Sequence, residues 1–259
     1  MTTYEAVVLD VDGTIVRGER LLPGAVSVLE DLDSVGCRRL LFSNNPTRRP
    51  AYYCERLANH GVSVDPSSVL TSATVSAAYL ATEHPNDRVF VVGEDRLRAI
   101  LREAGVSLTS DPERADVVLG SIDRTVTYED LADAVRTLES GVPYYGTDPD
   151  VSIPTAGGAI PGSGSILAAI SAAAGREPDA VLGKPSETAA AAATDLLGVD
   201  PAEVLVVGDR LDTDVALGTR AGMDTALVLT GVTARQDVES SAIQPDHVFE
   251  SVGEVSSVL

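Results

Sequence analysis

The chain is 259 residues long, enough for one large domain or two small ones, and no uninterrupted apolar run in it approaches the ~18 residues of a membrane span. Its formal net charge of −20 disfavours nucleic acid and anionic membranes as partners. Self-repulsion on that scale fades at molar salt, where the Debye length is about 3 Å, so adaptation to a salty cytoplasm is expected.

The N-terminus passes from Met-Thr-Thr-Tyr-Glu straight into a strand, without a basic region, apolar signal core or cleavage site, which predicts a cytoplasmic protein. That strand, over about 4–11, is an uncharged, partly β-branched run (Ala6, Val7, Val8, Leu9) that reads as buried on both faces. It ends in two carboxylates, Asp10 and Asp12. In an open α/β sheet the carboxyl ends of the strands face the crevice where ligands bind. A helix follows from Pro23 to about Val35, with Gly36 after its end. A second strand, Arg39 to Phe42, stops at Ser43-Asn44-Asn45-Pro46. Small residues of this kind make a turn, and just ahead of a helix at about 47–60 they also offer donors to an anion. Cys37 and Cys54 form no CxxC and lie among apolar periodic residues, as buried structural thiols would.

From about 67 to 180 the alternation repeats: helix 72–83, strand 88–92, helix 94–104, strand 116–119, helix 127–139, strand 143–146. No carboxylate pair ends a strand there as Asp10 and Asp12 do, so the stretch reads as an α/β module inserted into the first. Thr147-Asp148-Pro149-Asp150 leads into a long Gly/Pro-rich loop before a helix at 163–175. Gly162-x-Gly164 lacks the remaining spacing of a dinucleotide loop and reads as a helix start. Of the 19 basic residues only one is lysine, Lys184, in Leu182-Gly183-Lys184-Pro185 between a short apolar approach and a helix at 186–197. A chain that keeps a single ammonium in such a place has a use for it. The apolar strand after Glu203 ends in Gly208-Asp209, with Asp212 and Asp214 close behind, and a last strand (225–229) and a strand–helix tail from 246 follow.

Four strand ends thus carry Asp10/Asp12, Ser43/Asn44/Asn45, Lys184 and Asp209/Asp214, and parallel strands joined by helices would line all four along one edge of one sheet. Two unit charges 4 Å apart repel by about 4 kcal/mol at an effective dielectric of 20, so converging carboxylates need a cation. An all-oxygen ligand set selects a hard ion, and Mg²⁺ fits best. Phosphoryl transfer suits the set: Asp10 attacks in line to give an aspartyl-phosphate, and Asp12 protonates the leaving alcohol and later deprotonates water. Lys184, Ser43 and backbone N–H groups hold the phosphoryl oxygens.

Asp10-Val-Asp-Gly-Thr14, Ser43-Asn-Asn45, Gly183-Lys-Pro185 and Gly208-Asp-Arg-Leu-Asp-Thr-Asp214, in this order, resemble the four motifs of the haloacid dehalogenase-like superfamily, in its nitrophenylphosphatase/nucleotidase branch. The resemblance covers essentially the whole chain. It implies an α/β fold with a Rossmann-like parallel-sheet core (1–71 and 181–259) and an inserted α/β cap (72–180). It further implies a phosphatase acting on a small phosphorylated metabolite, with Asp10 as nucleophile and Asp12 as acid/base. Mg²⁺ would be held by Asp10, the Asp12 carbonyl and Asp209, and the phosphate by Ser43, Asn44, Asn45 and Lys184. Asp214 would give support from behind, and Asp212 would face solvent. Relatives of this branch suggest a homodimer through the cap. One departure is Asp148, where the branch usually has Asn; it would add negative charge near the substrate entrance. A phospho-accepting receiver module uses similar residues but is about half as long, lacks a cap and places its lysine last. A dehalogenase on the same scaffold would not need Asp12 or a metal, and a non-catalytic interaction protein would not need four intact motifs.

Overall fold

In the computed structural model, which describes residues 4–155 and 157–259, the chain is α/β and divides into two compact units. Residues 1–3, part of the stretch read for a leader, and Ala156, in the Gly/Pro-rich loop, lie outside the described residues. Among the described residues no helix is long and apolar enough to cross a membrane.

The first unit comprises Met1–Ser43, Pro50–Leu70 and Ala189–Leu259. Among the described residues its sheet has six strands, in the order His247–Phe249, Asp224–Val228, Val204–Gly208, Ala6–Leu9, Arg38–Ser43, Val69–Thr71. The uncharged opening strand lies at the centre because all four of its residues can be buried on both faces. It pairs in parallel with both neighbours, Leu9 opposite Val207 on one side and Leu41 on the other. Side chains of Val7, Leu9, Leu41, Leu205 and Val207 join Val28, Leu29 and Leu32 of the helix Ala25–Ser34 and Tyr53 and Leu57 of the helix Pro50–Ala58 in one apolar cluster. Cys37 is buried in that cluster and Cys54 packs half-buried against it, both as free thiols.

The second unit comprises Asn44–Arg49 and Thr71–Thr188. Its parallel sheet runs, among the described residues, Ala180–Val181, Tyr144–Gly146, Val117–Gly120, Arg88–Val92, Ser107–Thr109. One expectation needs correcting. The approach to Lys184 does not belong to the sheet that carries Asp10 and Asp209: Ala180–Val181 pairs with Tyr145 and Gly146 at the edge of the second sheet. A strand of two residues is too short to state its partner in its own pattern, so its sheet could not be read from the sequence. The division of the chain falls after Thr188, so the stretch with Lys184 and the turn Asn44–Arg49 both associate with the second unit.

Two antiparallel hairpins were also outside the sequence pattern. Val16–Arg17 pairs with Arg20–Leu21 just after Asp10 and Asp12, and Ser152–Thr155 pairs with Gly158–Pro161 inside the Gly/Pro-rich loop. Gly162 caps the helix Ser163–Ala174, so Gly162 and Gly164 belong to a helix start as expected.

Candidate active site

In the first unit, three adjacent parallel strands end side by side at Asp10, Ser43 and Asp209. The Asp10 amide donates to the Val207 carbonyl at 2.8 Å, which ties the first strand's end to the strand that leads to Asp209. After Asp209 the chain makes one turn of π-helix, Leu211–Val215, in which the Val215 amide reaches back five residues to the Arg210 carbonyl. Turns of this width often mark functional sites. Here the turn brings Asp214 back over the strand end, where its Oδ2 accepts from the Arg210 amide at 3.1 Å. Carboxylate oxygens of Asp10, Asp209 and Asp214 consequently all lie within 4.8 Å of one another. Asp214, expected to give support from behind, has a carboxylate oxygen within that same 4.8 Å of the other two. Asp212 pairs with Arg210 at the surface and its side chain is 66% exposed.

Glycines make room for this group. A Cβ on Gly231 would fall 1.7 Å from Asp209 Oδ2, and one on Gly13 would fall 2.4 Å from the same atom. Asp209 Oδ2 is held there by the Val232 amide at 2.7 Å. Asp209 and Asp214 are 2% and 1% exposed, so their charges have little water to lean on. At 4.8 Å and an effective dielectric of 20, each pair of ionised carboxylates repels by roughly 3–4 kcal/mol. The donors are oxygens only, with no imidazole or thiolate in the cluster. That donor set suits a hard divalent cation such as Mg²⁺, bound by few carboxylates and completed by water or substrate oxygens.

Two residues absent from the sequence reading serve this edge of the sheet from one helix. Tyr53 and Arg56 lie three apart on the buried face of Pro50–Ala58. The Tyr53 hydroxyl bonds Ser43 Oγ at 2.8 Å. Burial first, and then the Asp12 charge, push the Tyr53 phenol up, so it stays a neutral hydroxyl. Arg56 Nη1 donates to Asp12 Oδ1 at 3.0 Å, and Nη2 donates to the Gly18 carbonyl. The two partners differ in exposure, with the guanidinium side chain 8% and the Asp12 side chain 52% accessible. Asp12 is therefore reachable from solvent yet anchored by a buried cation. An arginine on an otherwise apolar helix face is the signal that could have found it.

In the second unit, Asn44 lies against Lys184, both buried. Asn45 Oδ1 accepts from the amide and hydroxyl of Thr47, the local turn that its residue type favours. Asp148 corrects another expectation: it is 2% exposed, and its Oδ2 accepts from Ser163 Oγ at 2.6 Å and from Thr147 Oγ1 at 3.0 Å. It adds no surface charge. Burial first, and the Asp150 charge next, push its carboxyl up to about 7. The folded chain thus keeps this proton where the unfolded chain, at the ordinary 3.8, gives it up. Stability contributed by Asp148 is full below about pH 4, declines as pH rises and levels off above about 7. Asp148→Asn, which the surrounding hydroxyls can accommodate by rotating, is expected to leave the melting temperature at pH 4 nearly unchanged. At pH 8 it should raise it by about 5 °C; thermal melts at the two pH values check this.

A family model described as haloacid dehalogenase-like hydrolase matches residues 7–107, and one described as HAD-hydrolase-like matches 181–255. Among curated proteins the chain is 35% identical over 252 residues to an acid sugar phosphatase of Staphylococcus epidermidis, covering 97% of this chain and 96% of that one. It is 36% identical over 259 residues to the acid sugar phosphatase of Staphylococcus aureus, covering 100% and 99%. Among solved structures it resembles a p-nitrophenyl phosphatase from Archaeoglobus fulgidus with a TM-score of 0.94 and 37% identity, covering 99% of this chain and 100% of that one. The 4-nitrophenylphosphatase of Thermotoga maritima gives 0.92 and 37%, covering 98% and 97%.

Proposed function

From the premise that the chain belongs to the haloacid dehalogenase-like hydrolases, as a phosphatase of their nitrophenylphosphatase branch, we propose that it hydrolyses small phosphate monoesters through an aspartyl-phosphate on Asp10, with Mg²⁺. The observation that carries this reading is the group of Asp10, Asp209 and Asp214 oxygens, mutually within 4.8 Å, with Gly13 and Gly231 leaving the space that the Asp209 carboxylate occupies. A Mg²⁺ ion would be held by Asp10, Asp209 and the Asp12 carbonyl, with Asp214 beside them. When bound it supplies charge neutralisation for the nucleophile and the phosphoryl oxygens.

In the first step an Asp10 carboxylate oxygen forms a bond to phosphorus while the ester P–O bond breaks, and the departing alkoxide takes its proton from Asp12. In the second step water attacks phosphorus, Asp12 receives the water's proton, and the bond to Asp10 breaks to release phosphate. Arg56 keeps the Asp12 carboxyl in place through both transfers. Ser43, aimed by Tyr53, and N–H groups of the turn at 43–45 hold the phosphoryl oxygens, and Lys184 adds the positive charge. Relatives named as acid sugar phosphatases favour sugar phosphates among the esters accepted. The receiver-like alternative is inconsistent with the family. A cytoplasmic location, salt adaptation and a homodimer through the second unit are part of the same reading.

Release of inorganic phosphate from p-nitrophenyl phosphate and a panel of sugar phosphates tests it. Activity with Mg²⁺ should fall at least about a hundredfold in EDTA and return when Mg²⁺ is restored. Full release in the presence of EDTA would refute the metal-assisted reading.

A further inference from the structure

We propose that Asn44 is the positioning residue for Lys184 and that its carboxamide does not itself bind the phosphoryl group. The inference rests on the role given to Lys184 above. Asn44 Nδ2 donates to the Lys184 carbonyl at 3.0 Å, and the Lys184 amide donates to Asn44 Oδ1 at 2.8 Å. Both polar atoms of the side chain are therefore engaged on the main chain of a residue 140 positions away. A carboxamide can do this because it carries a donor and an acceptor side by side, as a peptide group does. Aspartate would turn an anion toward the Lys184 carbonyl, and an aliphatic residue would leave a buried N–H and C=O without partners.

The surroundings hold both partners of this pair. The Asn44 carbonyl accepts from Ser72 Oγ at 2.7 Å, fixing the root of the side chain. On the other side, the Gly183 amide donates to the Thr147 carbonyl at 2.8 Å, and the Gly183 carbonyl accepts from the Ser186 amide at 3.0 Å. A Cβ on Gly183 would fall 2.6 Å from the Thr147 carbonyl oxygen and 2.8 Å from Asn44 Oδ1, so glycine is what lets the three segments meet. Lys184 is 2% exposed. A lysine side chain has four rotatable carbons and about 2 kcal/mol of rotamer entropy to lose, so an ammonium delivered to a fixed point needs a fixed root. Asn44 provides it. Within the turn Asn44–Arg49, the Asn44 side chain is thus given over to the main chain of the lysine.

A double-mutant cycle on kcat/KM for p-nitrophenyl phosphate separates positioning from direct binding. Asn44→Ala should lose about 10- to 100-fold, the usual cost of misplacing a group by an ångström. In the Lys184→Ala background the same change should cost less than about twofold, because nothing remains to be positioned. Losses that multiply would show that Asn44 acts on the substrate itself and would overturn the proposal while leaving the role of Lys184 intact. Full turnover in Lys184→Ala would instead remove the role of Lys184, and the proposal with it. Asn44→Asp, of equal size, gives a second cycle with the same expectation should the alanine variant not fold, and melting curves report which variants fold.

Discussion

Asp10→Asn is expected to lower phosphate release by on the order of 10⁴-fold or more while raising the melting temperature in EDTA. The two effects have separate causes. A neutral carboxamide oxygen is a far weaker nucleophile than a carboxylate, so the covalent route closes, and losses of this size are usual when a nucleophile is removed. The gain in stability comes from electrostatics. Without a cation, Asp10 faces the buried Asp209 and Asp214 within 4.8 Å, and neutralising one member of the trio removes two repulsive pairs. Melts in EDTA and in Mg²⁺ check this: the variant should exceed the parent in chelator, and the difference should shrink or reverse with the ion. Unchanged turnover would reject Asp10 as the nucleophile. A lower melting temperature in chelator would show that the trio is not under charge strain.

Gly231→Ala should have the next largest effect, through a residue that no motif would single out. The backbone of Gly231 is outside the left-handed region, so alanine meets no conformational penalty there. Its methyl, however, would fall 1.7 Å from Asp209 Oδ2 and 2.2 Å from Asp209 Cγ, so the carboxylate has to move. Moving it also loosens the bond from the Val232 amide that holds the same oxygen. The Mg²⁺ concentration for half-maximal activity should rise about 10- to 100-fold, the range seen when the support of a ligand is removed. Titration of activity with Mg²⁺ measures it. A wild-type titration would mean that Asp209 is not a ligand.

Much of this site was legible in the sequence because its carboxylates follow apolar runs that can be strands only if they are buried. Asp10 and Asp209 were readable on that ground, and the central position of Ala6–Leu9 agrees with its lack of charge. What could not be read had weaker local signals. Tyr53 and Arg56 sit on a helix whose pattern is dominated by packing, and their partners Ser43 and Asp12 are 10 and 44 residues away. Gly231 matters only for the space it leaves beside Asp209, and an absent side chain has no periodicity. The sheet that receives Ala180–Val181 was misjudged for want of length. Asp148 was misjudged because a carboxylate in a loop usually faces water, whereas here the hydroxyls of Thr147 and Ser163 and the Asp150 amide bond it in a buried place.

The placement of Ala6–Leu9 between Arg38–Ser43 and Val204–Gly208 bears on how the molecule is made. The middle of the first unit's sheet waits on a strand synthesised nearly two hundred residues later, which at 5–20 residues per second is a delay on the order of 10–40 s. During that interval one edge of an apolar strand lacks its partner, a state prone to non-native pairing. The chain between can use the time, since the second sheet takes its strands from an unbroken stretch of sequence and can order as it emerges. Nascent chains halted before and after residue 208 should therefore differ sharply in protease resistance of the first forty residues.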